Sequence, residues 1–270
     1  MTRLLVFDSG IGGLSVTREI RRTLPGAEIV YVADDAGFPY GDWAEPELTD
    51  HVVTLIDGLI QILEPAVVVV ACNTASTLVL QPLRSLHAIP FVGTVPAIKP
   101  AAARTRSRHI SVLGTFGTMQ REYTRSLIQQ FAGGCHVRLV GSANLAPLAE
   151  AHMRGETIDD AALWAEIEPA FVERDGARTD VIVLACTHYP FLVERFARLA
   201  PWSVEWIDPA PAIARQVASV ARGEADRERT VARGRAYLSS GQAWGIPLAT
   251  LLNSLDLDAG VLPGLARERA

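Results

Sequence analysis

Two short segments carry the residues best suited to chemistry: Ala71-Cys72-Asn73-Thr74-Ala75-Ser76 and Ala185-Cys186-Thr187-His188-Tyr189-Pro190. Each follows an apolar run, Val67 to Val70 before the first and Val181 to Leu184 before the second. Each cysteine is therefore expected at the C-terminal end of a buried strand, where open α/β sheets form ligand sites. A free cysteine most often serves as a small buried hydrophobe. Here each also precedes a helix, and the amides and dipole of a helix N-terminus favour a thiolate. Two opposed thiols can remove a proton from one face of a carbon and return it on the other. Cys135, after Gly133-Gly134, has no polar company and reads as structural or incidental.

Other polar residues gather at the same kind of position. Asp8-Ser9 ends the first strand, so it opens onto the edge that carries Cys72. Its ordinary duty would be to cap the next helix. A carboxylate there would also raise the thiol's pKa and could take part in proton transfer. His188, two residues after Cys186, is a packing or capping residue on one reading and an acid/base partner on the other. Ser9, Asn73, Thr74, Thr115, Thr118 and Thr187 fall at strand-to-helix turns. Turn duty accounts for any one of them. Together their hydroxyls and neighbouring N–H groups could bind carboxylates without a metal. The Gly10-Ile11-Gly12-Gly13 turn does not fit the dinucleotide fingerprint. A zinc site would lack a second ligand pair at suitable spacing. Lysines are few, and Lys99 falls in a helix after Pro96, a poor place to anchor pyridoxal phosphate.

The elements that must position these residues alternate strand and helix. Strands are expected at Leu4–Phe7, Ile29–Val32, Val67–Val70 and Phe91–Val92. Helices are expected at Leu14–Leu24, Leu48–Leu63 and Ala75–Leu86, with a turn-rich loop from Asp34 to Pro46. The second half repeats the pattern, with strands at His109–Leu113, Val137–Val140, Val181–Leu184 and Val204–Ile207. Its helices are expected at Met119–Phe131, Leu145–His152 and Asp159–Arg174, with one after Pro190. Asp8 precedes Cys72 by 64 residues and Thr115 precedes Cys186 by 71, which fits a duplication. The expected fold is α/β: two similar lobes with parallel-rich sheets flanked by helices, and the active site in the cleft between them. The lobes are expected to comprise residues 1–95 plus 209–270, and residues 96–208. A helix over Pro209–Ala221 should return to the first lobe. The tail from Gly241 gives mixed signals, and its charged end, Arg267-Glu268-Arg269, is expected to fray.

Composition sets outer limits. The chain has 270 residues, 49% hydrophobic, a formal charge of −5 and three cysteines. The acidic balance argues against a nucleic-acid face. No apolar run approaches the ~20 residues of a membrane span, and no signal peptide is visible. Three thiols do not make a disulfide framework, so a cytoplasmic protein with reduced cysteines is expected.

The segments Phe7 to Leu14, Pro39-Tyr40-Gly41, Ala71 to Ser76 and Cys186 to Pro190, in this order and spacing, resemble the glutamate racemases of the cofactor-independent aspartate/glutamate racemase superfamily. The similarity runs to about residue 220. The resemblance implies that Cys72 and Cys186 are the catalytic acid/base pair, assisted by Asp8 and His188. It implies that Asp8-Ser9, Tyr40-Gly41, Asn73-Thr74 and Thr187-His188 hold glutamate or tune the thiols. It places Glu150 near the substrate ammonium, and assigns neither cofactor nor metal. D-glutamate for peptidoglycan would be the product, and a homodimer a known arrangement. Many relatives carry an arginine in a D-T-A-R-like run where this chain has Asp34-Asp35-Ala36-Gly37, so the contacts of that loop should differ. Three alternatives stand beside this reading: racemisation of aspartate or a hydantoin, or a related decarboxylation; a Cys186–His188 hydrolase; and a two-lobed module that clamps an amino acid unchanged.

Overall fold

The computed structural model describes residues 2–221 and 231–262. Its elements run β1 (Arg3–Asp8), α1 (Leu14–Thr23), β2 (Glu28–Ala33), α2 (Glu45–Leu63), β3 (Val67–Val70), α3 (Asn73–Leu86), β4 (Phe91–Gly93) and α4 (Ile98–Arg104). Then follow β5 (His109–Gly114), α5 (Phe116–Gln120), α6 (Glu122–Phe131), β6 (His136–Gly141), α7 (Leu145–Met153) and α8 (Asp160–Ile167). The hairpin β7 (Glu173–Arg174) and β8 (Ala177–Arg178) precedes β9 (Val181–Ala185), α9 (Val193–Leu199), β10 (Glu205–Ile207) and α10 (Ala210–Ala221). The chain returns through β11 (Gly234–Leu238), α11 (Ile246–Ser254) and β12 (Leu257–Gly260).

Strands whose every residue is apolar must be covered on both faces, and β3 and β9 are of that kind. They lie in two parallel sheets, ordered β12-β11-β2-β1-β3-β4 and β10-β9-β5-β6. Within β1, Leu4 and Val6 face a core closed by α1, α10 and α11, while Leu5 and Phe7 face one closed by α2 and α3. The second sheet is likewise flanked by α7 to α9 on one face and by α4 and α6 on the other. The four-strand run β2-β1-β3-β4 has the same connectivity as β6-β5-β9-β10. In each, the chain leaves the central strand to one side and then crosses to the other. That reversal opens a crevice at the strand C-termini: between β1 and β3 in one sheet, and between β5 and β9 in the other. Asp8-Ser9 and Cys72 flank the first crevice; Thr115 and Cys186 flank the second.

Two expectations need correction. The helix expected over Met119–Phe131 is two, because Arg121 adopts extended backbone (φ −63°, ψ 135°) and caps α6. Its guanidinium pairs with Glu45, and Thr124 Oγ1 donates to Thr118 O at 2.7 Å. The helix expected over Asp159–Arg174 ends at Ile167; Pro169 sits in a 3-10 turn, and Arg174 belongs to the antiparallel hairpin. Where the sequence gives no clear pattern, β11 pairs with β2 and β12 with β11, widening the first sheet. Helix α10 packs on α1, as expected of a returning segment. The Arg267-Glu268-Arg269 end lies outside the described residues. No helix among the described residues is long and apolar enough to cross a membrane.

Where β11 meets β2 the backbones come very close. A Cβ on Gly234 would lie 2.1 Å from the Ile29 carbonyl oxygen and 2.8 Å from Leu257 Cδ2. Gly234→Ala is therefore expected to cost roughly 1–3 kcal/mol by overpacking. Urea titration should show a lower midpoint than the parent.

Candidate active site

Cys72 occupies the cap position before α3, with Ser76 N donating to its carbonyl at 2.8 Å. Its Sγ points to Ser9 Oγ at 3.8 Å. Burial, and then the nearby Asp8 carboxylate, push the thiol well above its usual range. Asp8 is fully buried; its Oδ1 accepts from Ser9 N at 2.8 Å and its Oδ2 from Gly13 N at 2.5 Å. Thr187 Oγ1 reaches the same Oδ2 at 3.3 Å from the other sheet. Burial raises Asp8 to about 6, although His188 and the Ser9 and Gly13 amides pull the other way.

On the opposite side, the turn after β9 brings Cys186 Sγ within 3.7 Å of His188 Nδ1. His188 Nε2 lies 3.1 Å from Glu150 Oε1, which also accepts from Ile11 N at 2.7 Å. Glu150 Oε2 accepts from Arg154 at 3.1 Å. Burial alone would depress the imidazole, but its bonds to Cys186 and Glu150 outweigh that and raise it well above the ordinary value. Glu150 is held low for the converse reason: burial raises it, while His188, Ile11 N and Arg154 prevail. His188 and Glu150 thus form a buried imidazolium–carboxylate pair at neutral pH. Phe38 tilts over the imidazole, with ring centroids 5.5 Å apart.

The glycine turn after β1 exists to admit this pair. A Cβ on Gly10 would fall 2.2 Å from Glu150 Oε1, and one on Gly12 2.4 Å from His188 Nδ1. Ser15 Oγ closes the same seam by donating to Thr187 O at 2.9 Å.

Both thiols line one cavity, with Ser9, Tyr40, Gly41, Asn73, Thr74, Thr115, Thr187 and His188. Three expected site residues stand behind this wall. Asp8 supports Ser9 and Cys72. Thr118, fully buried, lies 3.0 Å from Thr115 Oγ1 and 3.5 Å from Thr74 Oγ1. Glu150 backs His188. Asn73 is distinctive: it is buried, and neither Oδ1 nor Nδ2 has a partner among the described residues. An unpaired buried amide is costly, so Asn73 is held ready for a polar group that enters the cleft. The cavity itself measures only about 20 Å³, room for roughly one water.

Sequence reasoning passed over the groups that hold the mouth. Asp34 accepts from Tyr40 OH, His51 and Ser239 Oγ, each at 2.6 Å. Burial raises its pKa, but these hydrogen bonds win and the carboxylate is held low. At Gly37 a Cβ would lie 2.5 Å from Asp34 Oδ2 and 3.2 Å from His51 Nε2. Asp34 was visible as a loop acid, but nothing local linked it to Ser239, some two hundred residues later. Phe38 and Ala146, a helix-face alanine, carry no chemical signal of their own.

The chain is similar to known proteins in both sequence and fold. Residues 4–217 match the Asp/Glu/hydantoin racemase family. Glutamate racemase of Brucella anthropi is 61% identical over 218 residues, 80% of this chain and 78% of that protein. The Brucella canis enzyme of the same name is 58% identical over 224 residues, 83% of this chain and 81% of that one. Among solved structures, Escherichia coli glutamate racemase in complex with L-glutamate and its activator UDP-MurNAc-Ala superposes with a TM-score of 0.86. It shares 36% identity and covers 97% of this chain and 98% of its own.

Two outcomes follow from the electrostatics. Asp8 binds its proton more tightly folded (about 6) than unfolded, so its contribution to stability is full below the ordinary carboxylate value of 3.8 and is lost as pH rises through about 6. Asp8→Asn should flatten that part of the stability–pH profile between pH 4 and 6, read from urea midpoints. Removing one partner of the buried pair, by Glu150→Ala, should destabilise by about 3–5 kcal/mol, and imidazole NMR should show the His188 pKa falling.

Proposed function

The chain belongs to the Asp/Glu/hydantoin racemase family, and we propose that within it this enzyme interconverts L- and D-glutamate by proton transfer between two thiols. The observation that carries the reading is the single cavity lined by Cys72 and Cys186, each from the switch point of its own sheet. The proton beside a carboxylate on Cα is very weakly acidic, so charge arriving on the α-carboxylate must be met by fixed donors. The unpartnered Asn73 amide, with Thr74, Thr187 and neighbouring backbone N–H groups, supports that role. Ser9, Tyr40, Gly41 and Thr115 line the remainder of the pocket and are assigned to the substrate's other polar ends.

In the L-to-D direction the Cys186 thiolate, beside the His188 imidazolium, takes the Cα proton. The electron pair left on carbon spreads into the carboxylate, and the Cys72 thiol delivers its proton to the opposite face. Cys186 ends protonated and Cys72 as thiolate. The reverse reaction exchanges the roles, with Asp8 able to receive the Cys72 proton when that thiolate must form. Glu150 acts as a positioning residue through His188. A hydrolase using Cys186 and His188 is less well supported. The two are near enough, but that chemistry gives no role to Cys72, which lines the same cavity.

A five-carbon diacid exceeds a cavity of about 20 Å³, so the lobes (residues 1–95 plus 209–270, and 96–208) are proposed to part for entry and close for chemistry. D-glutamate made in the cytoplasm, where the thiols stay reduced, would supply peptidoglycan synthesis.

In D2O the enzyme should introduce deuterium at Cα of either glutamate enantiomer. Cys72→Ser and Cys186→Ser should each lose racemisation by at least about 10²–10⁴-fold, and near-normal turnover in either would sink the two-thiol scheme. Asn73→Ala should lower kcat about 10²–10³-fold without loss of thermal stability, since it removes a polar group that the closed protein leaves unpaired. A small-angle scattering profile unchanged by glutamate would count against lobe closure.

A further inference from the structure

The segment from Asp34 to Ala44 brings Tyr40 and Gly41 to the cavity between the thiols. Apart from the 3-10 turn at Tyr40–Asp42 it holds no helix or strand. Its internal backbone hydrogen bonds are long. Gly37 N donates to Asp34 O at 3.1 Å, Asp42 N to Pro39 O at 3.3 Å and Trp43 N to Tyr40 O at 3.4 Å. A loop so sparsely bonded to itself must take its shape from side chains packed against it.

These side chains converge on His51, which α2 supplies from outside the loop. Its Nε2 lies 2.6 Å from Asp34 Oδ2, the oxygen that also accepts from Tyr40 OH. Burial works against ionisation of Asp34, but its hydrogen bonds, that from His51 foremost, hold the carboxyl low. An ionised carboxylate only accepts, so His51 Nε2 is the donor whichever charge the ring carries. Trp43 stacks on the same imidazole, with centroids 4.9 Å apart and 30° between the planes, and Tyr40 meets it edge-on at 6.2 Å. Trp43 Nε1 in turn donates to Gly37 O at 2.9 Å. One ring is thus held by the start of the loop, its middle and its end. Gly37 leaves the room for this: a Cβ there would also fall 3.1 Å from Tyr40 Cε1.

We propose that His51 is a positioning residue of the glutamate site: by gripping Asp34 and stacking on Trp43 it sets the loop so that Tyr40 and Gly41 face the substrate. The proposal rests on the racemase reading above. His51 is not part of the cavity wall and acts only through the loop. Tyr40 gives its hydroxyl proton to Asp34, so that proton is not free for the substrate, and the residue serves the cavity through its ring and backbone. Contacts from this loop hold substrate and transition state alike. A displaced loop therefore raises KM and leaves kcat in place.

The test compares the full-length parent with His51→Ala, His51→Gln and Gly37→Ala. Racemisation kinetics, calorimetric titration with L-glutamate and urea midpoints are read for each. His51→Ala should raise KM, and the calorimetric dissociation constant with it, about tenfold or more, the worth of one charge-assisted hydrogen bond. Its kcat should stay within about threefold of the parent. His51→Gln, whose Nε2 can reach the same carboxylate oxygen, should recover most of the lost affinity; a role in stability alone predicts no such return. Gly37→Ala crowds Asp34 from the opposite side and should reproduce the rise in KM, and it carries the comparison if His51→Ala does not fold. Unchanged affinity in His51→Ala and Gly37→Ala, a loss confined to kcat, or a His51→Gln protein as weak as His51→Ala would overturn the proposal. If the parent binds glutamate but places no deuterium on Cα, the racemase reading fails, while the dissociation constants still decide the role of His51.

Discussion

The cleft depends on one close approach: the His188–Glu150 pair of one sheet seated against the Gly10–Gly13 turn of the other. The pair is buried, and a buried ion pair is favourable only if its remaining lone pairs are filled. Ile11 N and Arg154 fill them. The glycines let the turn come near enough for that bond to form. Were the turn bulkier, His188 would lose its carboxylate, Cys186 its cationic neighbour, and Thr187 its reach to Asp8. The electrostatics of both thiols therefore hang on a contact in which neither sulfur takes part.

That arrangement makes the two sides unequal. Cys72 sits beside the buried Asp8 carboxylate, which opposes its ionisation; Cys186 sits beside the His188 imidazole. Two chemically identical side chains are thereby given different polar neighbours, although the strands that carry them are topological equivalents. A symmetric scaffold has been loaded with asymmetric neighbours.

Much of this was legible in the residues alone. The all-valine β3 and the apolar β9 announce parallel strands, and their following cysteines announce the crevices, because local apolar runs and strand ends are short-range signals. Parts set by distant contacts were not legible. The break at Arg121 follows from Glu45, far away in sequence. The β7–β8 hairpin hides in what reads as helix until Pro169 is given its weight. Strands β11 and β12 are short and weakly patterned, and their partners lie far away in sequence or in each other: β11 pairs with β2, and β12 with β11. The placement of Glu150, Asp8 and Thr118 one layer behind the cavity wall depends on side-chain direction, which spacing does not fix.

The hydrogen bonds of Asp34 and Asp35 to Ser239 and Ser240 tie the loop bearing Tyr40 and Gly41 to the chain's returning segment. A truncated product ending soon after Asp208 would keep both sulfurs and nearly every residue of the pocket, yet its entrance would have lost its anchor. The pocket's walls and the brace at its rim thus come from opposite ends of the chain, and only the folded whole unites them.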